Sequence, residues 1–191
     1  MQYVLASASP RRKQLLAELI PDFEIIPSLA DESAEGLSPR ALVCELAKRK
    51  AKEVAARPEN EGKMVIGSDT VVAFRGEVLG KPIDEEDAFR MLKALSGQTH
   101  AVYTGVCFAW QKGGERRTLT AADKTEVYFE NLSDEWIKQY VRGGSPMDKA
   151  GAYGIQDGGL VKKIAGSYTN VVGFPVELVK EMLKSLEKER L

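Results

Sequence analysis

Within its first nineteen residues this chain must turn a strand into a helix, and the turn is basic. Tyr3-Val4-Leu5-Ala6 is a short apolar run with strand character, and Leu15, Leu16 and Leu19 then recur at the spacing of one helix face. Ser9 suits the position that caps a helix, and Pro10 suits the first helical position, where its missing N–H removes no bond. A strand is therefore expected over 3–6 and a helix over 10–19, with Arg11 and Arg12 in the helix's first turn. Two cations beside the positive end of the helix dipole are mildly unfavourable. An anion bound there reverses the sign, because free backbone N–H groups and both guanidiniums then face it. From these residues two readings stay open: solvated surface, or the rim of an anion site.

Downstream the pattern alternates strand and helix at first, then changes. A short strand is expected over 23–26, an acidic loop over 31–35, and a helix over 38–56 opened by Ser38 and Pro39. Residues 64–68 read as a buried strand, and 71–74 and 77–79 as a hairpin about Arg75-Gly76. Asp84 caps a helix running to Ser96, with Gly97 as its stop. Two long strands, 99–110 and 118–130, flank a turn at 111–115, and Ser133 caps a helix ending at Arg142. The glycine-rich stretch 143–159 reads as a shaped loop. Pro175 opens a closing helix with Val176, Val179, Met182, Leu183 and Leu186 on its inner stripe. With 191 residues and no internal repeat or linker, one domain over 1–191 accommodates this pattern.

Two charges stand where burial should forbid them. In the 38–56 helix, Val43, Leu46, Ala47, Ala51 and Val54 share one face, and Lys50 falls inside that stripe. It either snorkels to the edge or reaches an anion in a cleft. Asp69 has Met64-Val65-Ile66-Gly67 before it and Val71-Val72 after it. An unpaired carboxylate so placed costs several kcal/mol, so a cation, backbone N–H groups or a metal must meet it. Gly67 and Thr70 suggest a turn at a strand end, where the bland alternative is an aspartate bonded to its own backbone. Taken alone, Glu32 belongs to a surface charge run with Asp31 and Glu35, and Lys81 to a solvent-facing turn. His100, the single histidine, reads as structural, which excludes a zinc site built on paired histidines.

Composition narrows the function further. The formal net charge is −1, which does not support a broad nucleic-acid-binding face. Cys44 and Cys107 read as small buried hydrophobes rather than as a disulfide or metal pair. No apolar run approaches the roughly 18 residues of a membrane span, and the short apolar start followed by arginines is unlike a signal peptide. A reducing cytoplasm is the expected setting. Neither a G-x-x-x-x-G-K-[ST] loop nor a G-x-G-x-x-G fingerprint occurs, so any phosphate is expected on a helix N-terminus and scattered cations. Carboxylates near such cations imply a divalent metal between them and the phosphates.

Leu5-Ala6-Ser7-Ala8-Ser9-Pro10-Arg11-Arg12, Ile66-Gly67-Ser68-Asp69-Thr70, Leu79-Gly80-Lys81-Pro82, Tyr103-Thr104-Gly105 and Lys149-Ala150-Gly151-Ala152-Tyr153-Gly154-Ile155-Gln156 occur in this order. The ordered set strongly resembles the Maf family of nucleoside triphosphate pyrophosphatases, which are related in fold to the inosine triphosphatases. The resemblance implies an α/β fold in which a long, mixed, mostly antiparallel sheet joins two lobes around a nucleotide cleft. It implies hydrolysis of a triphosphate, dTTP or UTP by preference, to monophosphate and pyrophosphate with magnesium or manganese, as house-cleaning of the nucleotide pool. By position Ser7, Arg12, Lys50 and Lys81 match the family's phosphate-contacting residues. Glu32 and Asp69 match its acidic pair, as metal ligands and catalytic groups with Asp69 the proposed base. Arg11, Thr70 and Gln156 match the positions that distinguish the dTTP/UTP branch. A homodimer is implied by analogy. The family is named for an effect on septum formation, so a competing expectation is a module that binds a partner or a nucleotide without relevant catalysis.

Overall fold

The computed structural model describes residues 1–112 and 114–188. Gly113, inside the expected 111–115 turn, and residues 189–191 of the expected domain lie outside the described residues.

The opening turn forms as its residues dictate. β1 (Tyr3–Leu5) leads to Ser9, whose hydroxyl accepts from the Arg12 backbone N–H at 3.4 Å, and Pro10 is the first residue of α1 (Pro10–Ala17). Ser38 caps α2 (Pro39–Ala55) in the same way, Asp84 caps α3 (Glu85–Leu95) and Ser133 caps α4 (Asp134–Arg142). The other helices are α5 (Tyr168–Val172) and α6 (Val176–Lys188). The strands are β2 (Glu24–Ile25), β3 (Met64–Phe74), β4 (Glu77–Leu79), β5 (Thr99–Lys112), β6 (Glu115–Phe129) and β7 (Val161–Ala165).

One seven-stranded sheet runs in the order β2-β1-β3-β5-β6-β7, with β4 paired to β3. β2, β1 and β3 are mutually parallel and every other pairing is antiparallel, so the expected mixed, mostly antiparallel sheet is the one observed. The long strands carry the two-lobed shape. At one end Leu5, Met64, Ile66, Val106 and Phe108 pack under α1 and α6 with Leu16, Val179 and Met182. At the other end Val72, Val102, Val127 and Phe129 pack with Leu92 and Leu95 of α3 and Ile137 and Val141 of α4. Asp69 and Thr104 therefore lie where the sheet passes from one core to the other.

The expected break in β3 is absent. β3 pairs continuously with β5 from Met64↔Trp110 to Ala73↔Ala101, so Asp69 sits in mid-strand rather than in a turn at a strand end. Gly67 has another purpose. A Cβ there would lie 2.3 Å from the Ala47 carbonyl oxygen and 2.7 Å from the Ala51 nitrogen, and one at Gly105 would lie 2.3 Å from the Val43 carbonyl oxygen. The two glycines let the α2 backbone rest directly on β3 and β5. On β3's other edge, β1 pairs at Met64–Ile66 and β4 at Val72–Phe74. Among the described residues, no strand pairs with that edge between Ile66 and Val72, and the cleft opens there.

Three further differences lie between residues 143 and 172. The 143–159 loop holds three short 3-10 turns, Ser145–Asp148, Ala150–Ala152 and Ile155–Asp157. β7 was not expected; its register on β6, Val127↔Ile164, supplies the ladder that its own composition does not announce. Nor was α5, five residues capped by Ser167.

Candidate active site

Parallel strands put their carboxyl ends, and the loops that follow, on one side of the sheet, where ligands of α/β folds bind. The loops after β1 and β2, the open edge of β3, the β4–α3 connection and the 3-10 turns of 145–157 together wall a cavity of about 690 Å³. Ser7, Arg11, Arg12, Glu32, Lys50, Asp69, Thr70, Lys81 and Gln156 all line it. Residues expected to act together from separate stretches of sequence are thus brought to one place.

The floor is an ion triplet. Lys50 Nζ donates to Asp69 Oδ1 at 2.6 Å and lies 3.1 Å from Glu32 Oε1. Lys50 and Asp69 are buried, whereas the Glu32 side chain is 63% exposed at the cavity mouth. Ala47, a turn before Lys50, and Ala51, the residue after it, press on Gly67 and so set the α2 face from which Lys50 reaches Asp69, two residues along β3. A buried carboxylate needs such a cation, and this contact answers the requirement stated by the sequence. Among the described residues Asp69 Oδ2 takes no hydrogen bond, which leaves it available to a water in the cavity.

Arg12 is held by three protein oxygens. Its Nε donates to the Gly173 carbonyl at 3.0 Å, Nη1 to Ser7 Oγ at 3.3 Å and Nη2 to Thr70 Oγ1 at 3.2 Å. Burial lowers its pKa, the Asp69 charge acts the other way, and a guanidinium remains ionised regardless. Three of its five N–H groups are so used, and among the described residues two are left for an anion. Arg11 turns instead toward the far wall, where Nη1 donates to Asp148 Oδ2 at 3.2 Å. Asp148 also accepts from Lys149 Nζ at 2.8 Å; burial acts to raise its pKa, but these bonds bring it below the usual carboxylate value. Lys81 and Gln156 are exposed on the same wall.

Sequence reasoning missed Asp148, Lys149 and the Gly173 carbonyl. The glycine-rich character of 143–159 was the available signal for the first two; for a backbone carbonyl 161 residues from Arg12 there was none. His100 lies outside the cavity lining, buried, with Nε2 2.7 Å from Tyr153 Oη and its ring edge-on to Phe129 and Tyr153. Burial pushes its pKa down to about 4, in keeping with a structural, uncharged imidazole. Cys44 and Cys107 are both free, and Cys107 is fully buried under α2.

Among the described residues, no group of three or more His, Cys, Asp or Glu side chains is placed to hold a metal by itself. Glu32 and Asp69 are nonetheless hard oxygen donors that already share one cation, Lys50. Such a donor set fits an ion like magnesium, which commonly takes one or two carboxylates and completes its shell with water and phosphate.

Comparison with known proteins agrees with this geometry. Over 178 residues the chain is 53% identical to a protein named dTTP/UTP pyrophosphatase from Thermococcus onnurineus, covering 92% of this chain and 93% of that one. It is 45% identical to a protein of the same name from Agathobacter rectalis, over 97% of each. In fold it is similar to the Staphylococcus aureus Ham1 protein, with a TM-score of 0.53 at 16% identity, covering 97% of this chain and 99% of that one. Among the described residues no helix is long and apolar enough to cross a membrane. The family model described as Maf-like protein matches residues 2–186, and the chain belongs to that family.

Proposed function

We propose that this protein hydrolyses a nucleoside triphosphate, dTTP or UTP by preference, to the monophosphate and pyrophosphate. The observation that carries the reading is Lys50 held between Asp69 and Glu32 on the floor of a cavity rimmed by Arg11, Arg12 and Lys81. A site that only gripped a polyanion would have no use for two carboxylates beside it, since they repel phosphate. A hydrolase needs one of them to receive a proton.

The triphosphate lies across the N-terminus of α1, with Ser7, Arg12, Lys50 and Lys81 neutralising its oxygens. Asp69 Oδ2 orients a water and takes its proton as the water oxygen bonds to the α-phosphorus. The bond from that phosphorus to the bridging oxygen breaks, and pyrophosphate leaves with the electron pair. Pre-placed cations supply most of the rate, because they stabilise charge as it develops and need not reorganise. Glu32 and Asp69 would hold a magnesium or manganese ion, whose chemistry there is further charge neutralisation. Arg11, Thr70 and Gln156 face the base, where the Gln156 amide offers both a donor and an acceptor to a pyrimidine edge. The reading extends to a homodimer working in the cytoplasm with no nucleic-acid partner, which light scattering and fractionation check.

The test mixes the protein with dTTP, UTP, CTP and the purine triphosphates, with magnesium or manganese, and measures pyrophosphate. Release from dTTP and UTP is expected. Orthophosphate instead would indicate a phosphatase, and no release would favour a binding module. Asp69→Asn is expected to keep nucleotide binding and lose turnover by orders of magnitude; near-normal turnover removes Asp69 as the base.

A further inference from the structure

Thr70 stands directly opposite Thr104 in the β3–β5 ladder, and their hydroxyl oxygens are 3.0 Å apart. Only one of the two can donate. Thr104 Oγ1 also lies 2.9 Å from the Asn170 carbonyl oxygen, which can only accept, so the single hydroxyl proton of Thr104 is committed there. That carbonyl cannot turn away. It also accepts from the Gly173 N–H at 3.0 Å, and the Asn170 side chain donates to the Val102 carbonyl at 3.1 Å and to Thr125 Oγ1 at 3.0 Å. Thr104 and Asn170 are both fully buried, so no water offers an alternative partner.

The polarity of Thr70 follows. Within the pair Thr70 is therefore the donor to Thr104, while its oxygen accepts from Arg12 Nη2 at 3.2 Å. A group in the cavity that reaches Thr70 Oγ1 meets a lone pair and no hydrogen. We propose that Thr104, which does not line the cavity, is a specificity-positioning residue that makes Thr70 an obligate acceptor and so selects a base with a ring N–H. This rests on the reading of Thr70 as a base-facing residue in a nucleotide pyrophosphatase. Uracil and thymine carry one N–H donor on their pairing edge, at N3. Cytosine presents a lone pair at that atom, and two facing lone pairs repel. An acceptor-only hydroxyl is also a poor partner for phosphate oxygens, which agrees with placing Thr70 toward the base.

Thr104→Val removes the hydroxyl at nearly constant volume and frees the Thr70 proton to point into the cavity. The ratio of kcat/KM for UTP to that for CTP is expected to fall about tenfold, since a donor then becomes available to cytosine N3. Thr104→Ser, which keeps the hydroxyl, is expected to restore the original ratio. A merely structural role would lower both substrates together and leave the ratio alone. Methylation of UTP at N3, tested on the unmutated protein, is expected to lower kcat/KM at least tenfold and needs no variant to fold. A Val variant with an unchanged ratio, a Ser variant as relaxed as the Val variant, or equal use of N3-methyl-UTP and UTP overturns the proposal. If the unmutated protein releases pyrophosphate from no triphosphate, the function proposed above fails instead.

Discussion

Gly67→Ala isolates the contact that aims Lys50. The added methyl would lie 2.3 Å from the Ala47 carbonyl oxygen and 2.7 Å from the Ala51 nitrogen, where ordinary contact begins near 3.4 Å. Both atoms are backbone, so no rotamer relieves the clash and α2 must retreat by about 1 Å. Overpacking of this kind costs about 1–3 kcal/mol, and the upper end is expected because two backbones are forced apart. For a domain of this length that lowers Tm by about 6–12 °C. Lys50, one turn after Ala47 and next to Ala51, retreats with the helix and loosens its 2.6 Å bond to Asp69. A displacement of about 1 Å in a catalytic constellation costs on the order of a hundredfold in turnover. Thermal melting and pyrophosphate release read the two effects separately. Combining the change with Ala51→Gly removes only the Ala51 methyl, 3.0 Å away, and leaves the carbonyl in place, so no rescue is expected. A melting temperature within a degree of the original, turnover within twofold, or rescue by Ala51→Gly would refute the reasoning.

Other outcomes are expected. His100 stays neutral in the fold to about pH 4, while in the unfolded chain it takes a proton below about pH 6.5. Its share of stability is therefore present above pH 6.5 and declines as the pH falls toward 4. Urea unfolding should register a loss of about 2 kcal/mol between pH 7 and pH 5 from this group, and His100→Gln should flatten that part of the profile. Gln156→Glu replaces an amide that can both donate and accept with an acceptor, so a changed ranking of bases is expected with little change in melting temperature. An unchanged ranking in the substrate panel would remove Gln156 from base choice.

Much of this protein is decided by short-range pattern. Ser9-Pro10 and Ser38-Pro39 set helix starts because capping and a fixed φ act within one turn. The apolar stripe of α2 exposed Lys50 as an anomaly, and the apolar flanks of Asp69 required it to have a partner; the structure makes them partners of each other. Pattern was silent or misleading where the deciding contact lies far along the chain. Gly67 and Thr70 looked like a turn, yet ten residue pairs of β5 alignment hold β3 straight through them. β7 forms because β6 completes its ladder, and the Ser167 cap of α5 is itself held by Thr125 of β6, whose hydroxyl donates to the Ser167 carbonyl and accepts from its N–H. Of the cleft residues, Lys50 and Asp69 stand out of the chain as exceptions to burial rules, whereas Glu32 and Lys81 read alone as surface and are picked out only through the ordered motifs. Tertiary structure alone decides which way Arg12 turns, that Arg11 meets Asp148, and that Thr70 must donate to Thr104, because a hydrogen bond's direction depends on every partner around it.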